Sequence, residues 1–103
     1  MRGDLSPGLQ AAQIAHAAFL YSVTFPEQTV RWHEASNYIV CLSVPSHEDL
    51  TLLSKTLDHQ PHKVEVYEPD VDDELTCIAV GPEYEVRQLL GSLPLALREA
   101  VMR

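Results

Sequence analysis

The spacing of apolar residues changes from segment to segment along this chain, and each spacing predicts an element. Leu9 to Tyr21 is small and apolar almost all round, interrupted only by Gln10, Gln13 and His16. These residues are good helix formers with no internal breaker. Ser6 before them can cap the first turn with its hydroxyl. Pro7 suits the first helical position, where its missing N–H costs nothing. The three polar residues recur every third position, so they form a slanting stripe on one side of the helix. Pro26 breaks that helix and opens a second one, predicted to run to about Ser36, with Val30 and Trp32 as its apolar contacts and Asn37 as its stop. Tyr38 to Val44 is β-branched and continuously apolar, which predicts a strand covered on both faces. Ser46 with Glu48 and Asp49 reads as the capped start of a helix whose buried side is Leu50, Leu53 and Leu57. Lys63 to Tyr67 alternates polar and apolar, which predicts a strand near a sheet edge. Leu75 to Val80 predicts a buried strand. Gly81-Pro82 turns the chain into a short helix over Glu83–Leu90, and a last helix is expected over Pro94–Met102. Helices alternating with apolar strands predict a layered α/β domain.

Length and composition set limits on this picture. At 103 residues the chain is read as one domain, residues 1–103. No apolar run approaches the roughly 20 residues of a membrane helix, and no signal sequence is recognisable. Cys41 and Cys77 both sit in apolar strand-like runs and read as small core residues, which fits a cytoplasmic setting. The net charge of −8 changes the expected partners, because it repels phosphate at long range. The basic residues, few and scattered in sequence, form no patch of the kind nucleic-acid binders carry.

Two stretches hold candidate chemistry. The first is the turn and helix from Asp4 to Ala18. The first turns of a helix can hold an anion at their N–H groups, and the Gln10–Gln13–His16 stripe lies close to that end. The stripe equally fits amides and an imidazole that satisfy nearby backbone groups. The second is Glu68-Pro69-Asp70-Val71-Asp72-Asp73-Glu74, in which five of seven residues are acids. It reads as a solvated loop, or as coupled carboxylates suited to acid–base work. A calcium loop is a third reading, although the glycine and terminal glutamate of an EF-hand are missing.

Taken in order, these pieces resemble the type II, archaeal and eukaryotic-type, peptidyl-tRNA hydrolases. The resemblance rests on Asp4-Leu5 before a glycine turn, on Ala11-Ala12-Gln13 with His16-Ala17, on the run 38–44, on the helix after Ser46, and on Thr76-Cys77-Ile78-Ala79-Val80 followed by Gly81-Pro82. It is strongest with a bacterial and phage subgroup that has Asp-Leu-Ser-Pro-Gly, a tryptophan-histidine pair (here Trp32-His33) and a Glu-Pro-Asp loop.

The resemblance implies a small mixed β-sheet with helices on both faces. It implies cleavage of the ester between peptide and tRNA without a metal or other cofactor, with peptidyl-tRNA as partner. By position it implies Gln13, His16 and Asp70 as the catalytic set, with Asp70 as base or as orienter of a water. Gly8, Gln10 and Glu68 stand beside them as substrate-binding candidates, and Thr76 as a sheet residue. Glu68 and Asp70 both align with the family's loop acid.

Three departures accompany the match. The family's lysine-bearing turn is Ser6-Pro7-Gly8-Leu9 here. Its Asp-Ala-Gly-x-Thr loop is shortened and acidic. Only Met1-Arg2-Gly3 stands where the family has a first strand, so that strand is expected to be truncated and the exposed edge to favour a homodimer. Without the lysines, a relative lacking catalysis that binds a protein or small cationic ligand through the acidic loop is the alternative expectation.

Overall fold

The structure, a computed structural model, describes residues 1–97. Helix α1 spans Pro7–Thr24, α2 Pro26–Glu34 and α3 His47–Thr56; strand β1 spans Lys63–Glu68 and β2 Glu74–Val80; helix α4 spans Tyr84–Leu90. The starts follow the sequence signals. Ser6 Oγ accepts from the Leu9 N–H, and Ser46 Oγ from the Asp49 N–H, each at 3.3 Å. Pro26 opens α2, and Asn37 follows its end in the left-handed region at φ 55°. None of the described helices is long and apolar enough to cross a membrane.

β1 and β2 pair antiparallel, from Lys63 opposite Val80 to Glu68 opposite Glu74. The register slips by one residue between Val66–Cys77 and Tyr67–Leu75, which leaves Thr76 as an extra residue on β2. Such a bulge disturbs the alternation of side chains and re-aims its residues. Leu75 joins Leu50 and Val44 in one core cluster, while Cys77 joins Ala17, Val66 and Met1 in another. The helices thus cover both faces: α1 packs on β1 and β2, and α3 packs on β2.

Met1–Gly3 forms no strand, but it bridges the sheet to the segment before α3. Its Arg2 N–H donates to the Thr76 carbonyl on one side, while Gly3 and Met1 exchange bonds with Val44 on the other. The Arg2–Val44 bridge is parallel and a Leu42–Leu95 bridge antiparallel, so the pairing around β1–β2 is mixed.

Two expectations are corrected. Tyr38–Val44 does not form a doubly covered strand: only Leu42 and Val44 make bridges, and Tyr38, Ile39 and Val40 are exposed. The composition is that of a strand, but only one residue of Met1–Gly3 bridges to this segment, at Val44. Pro94–Leu97 is not helical either. Leu95 bridges to Leu42 and Leu97 turns left-handed at φ 60°. The rest of the helix expected to Met102 lies outside the described residues. α2 buries none of its residues, and Val30 is exposed. Trp32 makes its contact at the end of the next turn, where its Nε1 donates to the Tyr38 carbonyl at 2.6 Å. Cys41 and Cys77 are free thiols, and burial pushes the Cys77 thiol above its ordinary range.

Candidate functional site

The polar stripe on α1 divides. Gln10 and Gln13 turn inward and are buried, whereas His16, one turn further on, is exposed. Gln10 ties down the turn that precedes its own helix: Nε2 donates to the Leu5 carbonyl at 2.7 Å and to Gly3 at 3.4 Å. Its Oε1 is buried without a partner among the described residues. Gly8 is exposed, and a Cβ added there would meet nothing within 4 Å. The glycine therefore serves no close approach within the chain and leaves open surface at the first turn of α1.

Gln13 is the centre of a hydrogen-bonded chain. It is 1% exposed, and Thr76 beside it is 0% exposed. The Thr76 hydroxyl donates to Gln13 Oε1 at 2.7 Å, and Gln13 Nε2 donates to Glu68 Oε2 at 2.7 Å. The other carboxylate oxygen, Oε1, accepts from the Asp70 backbone N–H at 3.2 Å. Each part fixes the next. A carboxylate accepts only, so the amide must present its NH2 to Glu68 and its carbonyl to Thr76. The bulge puts Thr76 on the α1 side, and the alternation of β1 puts Glu68 there beside Val66.

The same donors set the electrostatics. The Asp70 N–H, then the Gln13 amide and more weakly His16 hold the Glu68 carboxyl below the usual carboxylate range. Glu68 is thus an anion at neutral pH with its direction fixed by two hydrogen bonds.

Asp70 is placed differently. Its side chain is exposed and engages no other described residue; only its backbone N–H reaches Glu68. Asp72 and Asp73 are also exposed, both left-handed at φ 53° and 57°. Of the residues picked out beforehand, the structure brings together Gln13 and Glu68 by a hydrogen bond, with His16 exposed one turn along α1 from Gln13. It leaves Asp70 and Gly8 in solvent and turns Gln10 to the backbone. Two open grooves among the described residues lie away from this chain of hydrogen bonds. One is on α2 at Pro26 and Val30, the other between α3 and β1 at Lys55 and Tyr67. No three His, Cys, Asp or Glu side chains among the described residues converge as metal ligands.

Sequence reasoning missed Arg2. It is 6% exposed, with its guanidinium on Asp4 at 2.7 Å and on Glu74 at 2.8 Å, and His47 Nδ1 stands 3.7 Å from the same Glu74. The signal was only partial: Arg2 and Asp4 are opposite charges two residues apart, and the turn at Gly3-Asp4 brings them together. Arg2 holds the Asp4 carboxyl below its ordinary range.

Compared with known proteins, residues 1–96 match the family model described as Peptidyl-tRNA hydrolase PTH2. No curated protein and no solved structure matches the chain.

Proposed function

This chain belongs to the peptidyl-tRNA hydrolase PTH2 family, and from that premise we propose that it hydrolyses the ester of peptidyl-tRNA beside the exposed side of α1. The observation that carries the reading is the 2.7 Å bond from the buried Gln13 amide to Glu68. It holds a carboxylate anion in one orientation at the surface, against the helix that carries His16. A carboxylate whose proton affinity has been lowered is a weak base but a good acceptor for one O–H of a water, so its role is to orient that water toward the ester carbonyl. The imidazole of His16 is the side chain suited to take the proton near neutral pH. Thr76 and Gln13 act behind Glu68 by fixing its direction. Asp70 contributes its backbone N–H to Glu68, and its carboxylate has no part in the step. Gly8 leaves room for substrate at the first turn of α1, where backbone N–H groups substitute in part for the family's lysines.

The reading takes residues 1–103 as one domain, active in the cytoplasm without a cofactor. It makes a second copy the partner of the exposed Tyr38–Val40 segment.

A second reading is favoured by the solvation of Asp70, Asp72 and Asp73. Here the acidic rim binds a cationic partner and no ester is cleaved. Turnover of peptidyl-tRNA by the wild-type chain beside a His16→Ala variant separates the two. The hydrolase reading expects turnover that falls by roughly 10²-fold or more in the variant, the usual contribution of a positioned acid–base group. Correctly folded wild-type chain without turnover supports the binding reading.

A further inference from the structure

Arg2 lies outside the Thr76–Gln13–Glu68 chain, yet it touches both segments that frame it. Asp4 opens the turn into α1, and Glu74 closes the acidic loop where β2 begins. The guanidinium spans them: Nε and Nη2 donate to the two oxygens of Asp4 at 3.1 and 2.7 Å, and Nη1 donates to Glu74 at 2.8 Å. The loop's other end, Glu68, is held by Gln13 of α1. Residues 69–73 therefore hang between two attachments to the same side of the molecule. Within them Asp72 and Asp73 both take left-handed conformations, which residues other than glycine adopt at a cost and keep where the flanks dictate them.

Stability alone does not explain this arginine. A buried ion pair is often no better than apolar residues of the same volume, because desolvation offsets the attraction. The fork of an arginine does what an apolar residue or a lysine does not: it fixes two carboxylates at set distances and angles.

We propose that Arg2 is a positioning residue. By clamping Asp4 to Glu74 it sets the loop against α1 at the distance the Gln13–Glu68 bond requires. The proposal rests on the reading of Glu68 as the site carboxylate.

The test uses Arg2→Lys, which keeps the charge and loses the fork, and Glu74→Gln, which weakens one arm at a half-exposed residue and leaves the Asp4 pair intact. Two quantities are measured: amide hydrogen exchange along the chain, and kcat and KM on peptidyl-tRNA. Both variants are expected to speed exchange over residues 68–74 by about tenfold or more while leaving α3 unchanged. They are expected to lower kcat by roughly tenfold to a hundredfold with KM nearly constant, as displaced catalytic groups do. The double variant should be little worse than either single one, since both act through one clamp. Unchanged exchange at 68–74 overturns the proposal, as does an equal rise in α3, which would mark Arg2 as generally structural. If Arg2→Lys does not fold, Glu74→Gln decides alone. A wild-type chain without turnover refutes the hydrolase reading, and the exchange comparison still judges the clamp.

Discussion

The two faces of the sheet are built on different plans. Under α3 the core is mainly apolar, with Leu50, Val44 and Leu75 in one cluster, and its buried hydroxyl, Ser54, donates to Glu65 and accepts from Lys63. Under α1 an apolar cluster of Ala17, Val66 and Cys77 is continued by a buried hydroxyl and a buried amide that lead out to a carboxylate. One β-bulge separates the plans, sending Leu75 to the first face and Thr76 to the second. Polar groups placed in a core must all be paired or they destabilise it. The α1 face carries that burden in the chain that leads to Glu68, and the α3 face carries it at Ser54. Under the proposed reading the chemistry lies on the α1 side.

The largest stability effect is therefore expected on the side without chemistry. Leu50→Ala leaves a cavity at a fully buried position and should cost about 3 kcal/mol, read as a lower urea midpoint. Whatever fraction stays folded should keep its activity. Thr76→Val, close in shape, removes a hydroxyl and leaves Gln13 Oε1 unpaired. It should cost roughly 1–3 kcal/mol and also impair turnover by letting the amide rotate. Equal behaviour of these two variants in both assays would erase the distinction between the faces.

Acid probes the α1 side through two carboxylates, and the carboxyls of Glu48 and Asp58 at the two ends of α3 are held below their ordinary range as well. Glu68 and Asp4 both have lowered carboxyl pKa values in the folded chain, through the Asp70 N–H with Gln13 and through Arg2. Their contribution is present above the ordinary carboxylate range and is lost as pH falls through the folded values, because the unfolded chain then takes up protons first. Urea midpoints should fall from pH 7 to pH 3, and less so in a chain carrying Asp4→Asn and Glu68→Gln. The smallest folding effect is expected at the exposed edge. Ile39→Lys should change stability by under about 0.5 kcal/mol. It should turn the proposed dimer into a monomer by sedimentation, while a monomeric wild type would remove that partner.

How much of this was legible depended on whether a signal was local. The caps at Ser6 and Ser46, the break at Pro26 and the apolar side of α3 all follow from residues within one turn of each other, and all appear. The run at 38–44 misled because its composition describes a strand, while strand formation also needs a neighbour, and the three-residue Met1–Gly3 segment bridges it only at Val44. The stripe of Gln10, Gln13 and His16 was readable on the helix, but not that only the two glutamines turn inward. Which acid of the loop meets α1 was not readable either, since Glu68 and Asp70 differ only in which of them the backbone turns toward that helix. That choice follows from the alternation of β1 beyond the bulge, and nothing in the sequence announces a bulge at Thr76. Arg2 was readable from its spacing to Asp4 but not from its distant partner, Glu74.

The central claim is that Glu68, aimed by Gln13, is the carboxylate that matters, and Asp70 is not. The direct measurement is kcat on peptidyl-tRNA for Glu68→Gln beside Asp70→Asn. The account predicts a loss of roughly 10²-fold or more for the first and less than about threefold for the second. A severe loss in Asp70→Asn with Glu68→Gln near wild type would contradict it.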